Sequence, residues 1–136
     1  MIPFQLKGLD HVVLRVADLP RALDFYCGVL GATLEREQAE IGLTQLRIGA
    51  ALIDLVTLAG RLGRMGGAGP AAEGRNLDHF AIAITPFDEA AIRAHLERRR
   101  VAVIESGQRY GAEGEGPSVY VRDPDGNVLE LKGPPA

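Results

Sequence analysis

Two histidines and two carboxylates stand at matching places in the two halves of this 136-residue chain. The tripeptide Leu-Asp-His that ends at His11 returns near mid-chain, where it ends at His79, and an apolar run follows each copy. Later in each half an apolar run is interrupted by one acidic residue, which is Asp54 in the first half and Glu130 in the second. Imidazole nitrogens and carboxylate oxygens together suit Fe, Mn, Ni, Zn or Co and do not choose among these metals. The four residues therefore predict a site for a divalent metal ion.

Each of these residues also has a simpler explanation when it is taken alone. A histidine at the start of a strand is about as often a hydrogen-bonded structural residue as a metal ligand. A carboxylate such as Asp54 costs several kcal/mol if it is buried without a partner, and hydrogen bonds, a cation or water would compensate it as well as a metal would. The regular placement in both halves is what favours the metal.

The elements that must position these residues repeat as strand, helix and three strands in each half. In the first half, strands are predicted at 8–16, 33–38, 43–48 and 50–58, and a helix extends from the N-cap Asp18 to the residue before Gly31. In the second half, a helix is predicted from Pro86 to about Arg100, and strands at 77–85, 101–105, 118–122 and 128–132. The apolar centre of the first strand predicts that it is buried on both faces or central in its sheet.

The domain organisation follows from a change of composition near mid-chain. Residues 59–76 are rich in Gly, Ala, Pro and Arg, which is typical of a flexible linker. We expect one domain over 1–136, with module one at 1–58 and module two at 77–136, because a chain of this length can bury a single core.

A second glycine-rich stretch, 106–117, is predicted to be a loop. Arg109 lies in it and is a candidate to bind an anionic group of a substrate, since guanidinium forms paired hydrogen bonds with such groups. A solvent-exposed loop arginine is the alternative.

Composition excludes two classes of partner. The net charge is −3, aromatic residues make up 5% and tryptophan is absent, so nucleic-acid binding is not expected. No apolar run approaches the roughly 20 residues that a membrane span needs. The start of the sequence lacks signal-peptide features, and the single Cys27 fits a reducing compartment, so a cytoplasmic protein is expected.

Three segments resemble the vicinal oxygen chelate superfamily, which includes glyoxalase I, methylmalonyl-CoA epimerase, extradiol dioxygenases and bleomycin-binding proteins. Residues 9–31 contain Leu-Asp-His, Val-Ala-Asp-Leu, Phe-Tyr and Val-Leu-Gly, and look like the opening of its first module. Residues 77–79 match the start of its second module, and 121–131 match its closing signature. The resemblance implies an α+β fold, in which two βαβββ modules form a curved mixed sheet around a cleft. It places metal ligands at His11, His79 and Glu130.

Asp54 departs from the family pattern, since glyoxalase I has Glu at this place and the epimerase has Gln. Its side chain is one methylene shorter than Glu, so it would reach a metal only through a water molecule or not at all, which weakens a strict glyoxalase assignment. The resemblance implies a metal-dependent glyoxalase-like enzyme, a lyase or isomerase, acting on a small substrate with vicinal oxygens. In that chemistry the metal coordinates both vicinal oxygens of the substrate. Glu130 or Asp54 then transfers the proton next to the carbonyl.

Two alternatives share the same fold. An extradiol-type dioxygenase also uses two His and one Glu, but such enzymes usually duplicate the whole unit and carry another acid–base histidine. The remaining histidine here, His95, is predicted on a helix. A metal-free drug-binding resistance protein is the second alternative, and the retained ligands and scarce aromatic residues argue against it. Relatives with one pair of modules commonly dimerise, so a homodimer is expected.

Overall fold

The computed structural model describes residues 1–135, and residue 136, the end of the predicted second module, lies outside the described residues. The chain forms two compact units, Met1–Gly69 and Pro70–Ala136. Each unit contains one α-helix and one four-stranded sheet with parallel and antiparallel pairs. The predicted α+β class with two βαβββ modules is confirmed.

The first unit has its helix between the first and second strands. The strands are β1 (His11–Val16), β2 (Thr33–Gln38), β3 (Leu43–Ile48) and β4 (Ala51–Thr57). Their order in the sheet is β1-β4-β3-β2, with β1 parallel to β4 and the other pairs antiparallel. The first and last strands of the module are therefore direct neighbours.

The helical segment of this unit begins and ends where the sequence predicts. Helix α1 (Leu19–Leu23) continues into a π-helical segment, Asp24–Val29. The carboxylate of Asp18 accepts a hydrogen bond from the backbone N–H of Arg21 at 3.1 Å, as an N-cap does. Gly31 follows the last turn with φ +85°, a conformation that glycine adopts without steric cost. The buried face consists of Ala22, Phe25, Tyr26 and Val29.

The prediction that residues 8–16 are buried on both faces or central in their sheet is wrong. Strand β1 starts at His11 and lies at an edge of its four-stranded sheet. Leu14 is buried, but the neighbouring Val13 points to the other face and is 52% exposed. Successive side chains of a strand alternate between faces, so an apolar run by itself does not show that both faces are covered.

The second unit repeats this topology. Its strands are β5 (Phe80–Ala83), β6 (Val103–Gly111), β7 (Gly114–Arg122) and β8 (Val128–Lys132), and its helix is α2 (Glu89–Arg98). Their order is β5-β8-β7-β6, again with a parallel pair between the first and last strands. Equivalent strands of the two modules thus occupy equivalent places in their sheets.

Helix α2 begins later than predicted. Its N-cap is Asp88, whose carboxylate accepts a hydrogen bond from the backbone N–H of Ala91 at 3.1 Å. Pro86 lies before the helix and does not open it, because the side-chain cap two residues later sets the first turn. In the part of the chain that the structure describes, no helix is long and apolar enough to cross a membrane.

The predicted loop at 106–117 is wrong, since these residues belong to the β6–β7 hairpin and Arg109 pairs with Gly116 across it. The glycines serve close approach within the sheet. A Cβ on Gly107 would lie 2.6 Å from the Arg109 guanidinium, and one on Gly116 would lie 2.8 Å from the carbonyl oxygen of Gly133. Glycine inside a strand often marks such an approach, so the glycines of 106–117 do not indicate a loop.

The first part of the glycine-rich stretch after β4 contains a short helix. A short 3₁₀ helix, Gly63–Gly66, lies beside β1. The half-buried guanidinium of Arg15, on β1, donates hydrogen bonds to the carbonyl oxygens of Gly63 (2.8 Å), Ala68 (3.0 Å) and Gly67. The boundary between the two units follows directly, after Gly69.

Candidate functional site

In the first unit, His11 and Asp54 lie on one face of the parallel β1–β4 pair. Asp54 is paired in register with Val13, and His11 is two residues away on the same side of the strand. The distance from His11 Nε2 to Asp54 Oδ2 is 3.8 Å. On the other side of the ring, His11 Nδ1 donates to the carboxylate of Asp10 at 2.7 Å. The ring therefore turns its second nitrogen towards Asp54.

Gln45 compensates the burial of Asp54. The carboxylate is 4% exposed, and both of its oxygens accept from the amide nitrogen Nε2 of Gln45, at 3.2 and 3.1 Å. Gln45 lies directly opposite Asp54 on the antiparallel strand β3. Hydrogen bonds, a cation, water or a metal could offset the cost of burying this carboxylate. Among the described residues, hydrogen bonds from a neutral amide and the nearby imidazole do so.

In the second unit, His79 and Glu130 repeat the arrangement. Glu130 is paired in register with Ala81 on the parallel β5–β8 pair, and His79 again lies two residues before that partner. Its Nε2 is 3.3 Å from Glu130 Oε1, and its Nδ1 donates to the Asp78 carboxylate at 2.7 Å. Each unit thus brings together one predicted histidine and one predicted carboxylate.

Two hydroxyl groups hold Glu130, which is 6% exposed. Ser118 Oγ donates to Oε2 at 2.6 Å, and the Tyr120 hydroxyl donates to Oε1 at 3.0 Å. Burial raises the pKa of Glu130, but the hydrogen bonds from Ser118 and Tyr120 and the nearby His79 lower it further, so the pKa lies below its ordinary value. The carboxylate is therefore ionised at neutral pH.

The two histidines are more basic than usual. The hydrogen bond to Asp78 is the largest cause that raises the pKa of His79 above 6.5, and Glu130 adds to it. The hydrogen bond to Asp10, followed by the charge of Asp54, raises the pKa of His11 in the same way. These are electrostatic consequences of placing each ring between two carboxylates.

The donor atoms are of the kinds that bind divalent metal ions. A metal-binding imidazole usually donates its other N–H to a carboxylate, which fixes the ring and leaves the free nitrogen for the metal. Asp10 and Asp78 have this relation to His11 and His79. Among residues 1–135, no group of three or more His, Cys, Asp or Glu side chains is arranged to hold a metal, so each described cluster is one histidine with one buried carboxylate.

Arg109 lies near the Glu130 cluster. Its guanidinium carbon is 5.5 Å from the centroid of the Tyr120 ring, and its Nη2 is 3.4 Å from a carboxylate oxygen of Glu105. Burial and the contact with Glu130 raise the pKa of Tyr120 above 10, although Arg109 opposes this. Tyr120 therefore stays a neutral hydroxyl donor at neutral pH. The role of Arg109 in binding a substrate stays a prediction.

Sequence reasoning missed Gln45, Ser118 and Tyr120. A signal was present, because Ser118 and Tyr120 alternate with the apolar residues Val119 and Val121 in one strand. Polar side chains at that spacing lie on one face of a strand. What the sequence does not show is which carboxylate lies opposite them.

A family model described as the Glyoxalase/Bleomycin resistance protein/Dioxygenase superfamily matches residues 8–131. The chain belongs to this superfamily. The predicted membership of the vicinal oxygen chelate proteins is thereby confirmed. Members of the superfamily commonly use divalent metals, bind small-molecule substrates and often form dimers.

Three relatives illustrate the spread of the superfamily. Virulence protein STM3117 of Salmonella typhimurium is 27% identical, over 93% of this chain and 83% of that protein. Glyoxalase domain-containing protein RDO1 of Mycosarcoma maydis is 26% identical, over 93% of this chain and 68% of that protein. The solved structure of an integron cassette protein from the mobile metagenome of V. cholerae has 31% identity, covers 97% of this chain and 98% of its own, and superposes with a TM-score of 0.72.

Proposed function

We propose that the protein is a metal-dependent enzyme of the glyoxalase type, a lyase or isomerase that acts on a small substrate with vicinal oxygens. The observation that carries this proposal is the repeated arrangement of an imidazole between an adjacent aspartate and a buried carboxylate. Such an arrangement prepares Nε2 for a metal. The proposed metal ligands are His11, Asp54, His79 and Glu130.

The chain's own residues have distinct parts in this chemistry. A bound divalent metal supplies Lewis acidity, which stabilises negative charge on a substrate oxygen. Glu130, ionised and held by two hydroxyls, is suited to remain a ligand. Asp54, held by the neutral amide of Gln45, is the proposed acceptor of the proton beside the substrate carbonyl. Glu130 is the second candidate for this proton transfer.

Arg109 is the proposed contact for an anionic group of the substrate. Its side chain is 36% exposed, so the guanidinium retains N–H groups that can bind a carboxylate or a similar oxyanion. Its position beside Tyr120 places this charge next to the Glu130 cluster.

Metal content tests the proposal. Protein purified without an affinity tag should contain one divalent ion per chain by mass spectrometry of the metals. His11→Ala and His79→Ala should each lose it, because each removes a proposed nitrogen ligand. His95→Ala is the matched control, since this third histidine lies on helix α2, and it should keep the metal. Full metal occupancy in the double variant His11→Ala/His79→Ala would overturn the assignment.

An extradiol-type dioxygenase is the second candidate. It is supported by Asp54 lying farther from its histidine than Glu130 does, as expected if Asp54 is not a ligand. His11 Nε2 lies 3.8 Å from Asp54, against 3.3 Å between His79 and Glu130. Without Asp54 the remaining ligands are two histidines and one carboxylate, the set used by non-haem iron oxygenases. Oxygen consumption with Fe²⁺ and a catechol tests this candidate, and its absence alongside isomerase or lyase turnover would exclude it.

A further inference from the structure

The carboxylate of Glu130 is fixed at both oxygens. Ser118 Oγ lies 2.6 Å from Oε2, and the Tyr120 hydroxyl lies 3.0 Å from Oε1. Ser118 is 1% exposed and Tyr120 is also buried. The carboxylate therefore cannot rotate without breaking a charge-assisted hydrogen bond from a buried hydroxyl group.

The equivalent carboxylate in the other module is held differently. Gln45 and Tyr120 occupy equivalent positions, each directly opposite the carboxylate on the neighbouring antiparallel strand. Both oxygens of Asp54 share the single nitrogen Nε2 of Gln45. One nitrogen shared by both oxygens gives a weaker hold than two hydroxyls on separate oxygens, so among the described residues only the second module has a carboxylate that is fixed from two sides.

We propose that Ser118 and Tyr120 are positioning residues that preset Glu130 for metal binding, an inference that rests on the proposed metal-dependent function. They touch Glu130 through its two oxygens, and their effect on a metal would pass through that side chain. Loss of a hydrogen-bonding partner behind a metal ligand typically weakens metal binding about 10- to 100-fold. The reason is that the freed carboxylate must then be ordered by the metal itself.

Titration of the metal-free protein with Co²⁺ against a competing chelator tests this inference without any substrate. Tyr120→Phe and Ser118→Ala each remove one hydroxyl, and each should weaken Co²⁺ binding about 10- to 100-fold. The visible spectrum of bound Co²⁺ should also change, because it reports the geometry of the ligands. A purely structural role would leave that spectrum unchanged.

Two matched controls remove the same groups from a neighbouring strand. Tyr110, on β6, is 85% exposed, and Ser106, also on β6, accepts a hydrogen bond from Arg93. Tyr110→Phe and Ser106→Ala should keep the parent's affinity and spectrum. Circular dichroism of every metal-free variant shows whether it is folded at the assay temperature.

The outcomes separate the two proposals. Parent-like affinity and spectrum in Tyr120→Phe and Ser118→Ala, with binding still dependent on His11 and His79, would overturn the positioning role alone. An affinity loss that occurs only where the metal-free variant is unfolded would overturn it too. Failure of the parent to bind Co²⁺ through these histidines would overturn the proposed function and the inference with it.

Discussion

The substitution Asp54→Asn tests the chemistry of the first module most directly. It keeps the shape of the side chain and one oxygen, but removes the negative charge and the basicity. Asp54 is almost completely buried, and both of its oxygens accept from Gln45 Nε2. The substitution therefore removes a charge from a buried site while the volume of the side chain hardly changes.

The expected cost in stability follows from these contacts. The new amide would place its NH₂ group against the NH₂ group of Gln45 unless the latter turns over and accepts through its own oxygen. After that rotation one neutral hydrogen bond replaces the charge-assisted contact, so the free energy of unfolding should fall by about 1 kcal/mol. In a domain of this size that corresponds to a fall of roughly 5 °C or less in the thermal midpoint.

Metal affinity, thermal midpoint and turnover should be measured on the parent, Asp54→Asn and Asp54→Glu. We expect Asp54→Asn to stay folded but to bind metal more weakly or to lose turnover, because it lacks the charge and the proton acceptor. Asp54→Glu adds the methylene that glyoxalase I has at this place, and should raise activity on a glutathione hemithioacetal.

Gln45→Leu provides the structural control. It removes the amide donor and leaves the buried carboxylate of Asp54, which should cost about 1–3 kcal/mol of stability. If Asp54 were only structural, Asp54→Asn and Asp54→Glu would lose stability and bind metal like the parent. Unchanged metal affinity and activity in Asp54→Asn would refute the reasoning.

Four further predictions follow from other features. Arg109→Gln should raise KM for an anionic substrate more than it lowers kcat, because the guanidinium supplies binding; steady-state kinetics with an unchanged KM would contradict this. Arg15→Met removes donors to three main-chain carbonyls and should lower the free energy of unfolding in urea by about 1–3 kcal/mol, with no measurable change as the contrary result. In the metal-free protein, the pKa of His79 lies above 6.5 and that of Glu130 lies below 4.5. The pair therefore stabilises the folded state most between pH 4.5 and pH 6.5. This stability is lost as pH rises through the His79 pKa or falls through the Glu130 pKa, and a pH-independent difference in midpoint between parent and His79→Ala would argue against it. Unpaired sheet edges favour association, so light scattering at micromolar concentration should show a homodimer and not a monomer.

The fold was predictable where periodicity and turn residues agree. Strands β2, β3 and β8 have the predicted bounds, and Asp18 caps the first helix as expected. The β6–β7 hairpin was not predictable from composition, because some of its glycines are explained by atoms far along the chain. Gly116, for example, leaves room for the carbonyl of Gly133, and such a contact exists only after the strands have paired.

The candidate site was predictable in part from the sequence. The internal repeat singled out the two histidines and the two buried carboxylates, since equal positions in repeated modules lie at equivalent places in their sheets. The residues that hold the carboxylates were missed. Gln45, Ser118 and Tyr120 reach them across antiparallel strands, and the register that brings them together is set by the turns and the core.

The parallel pairing of the first and last strands in each module has a consequence for the newly made chain. His11 and His79 are synthesised early in their modules, whereas Asp54 and Glu130 lie on the strands that complete them. A partly synthesised module therefore has a histidine without its carboxylate, and the proposed metal site forms only after the last strand has docked. Since metal binding that needs a folded site is coupled to folding, a nascent or truncated chain should compete poorly for cellular metals.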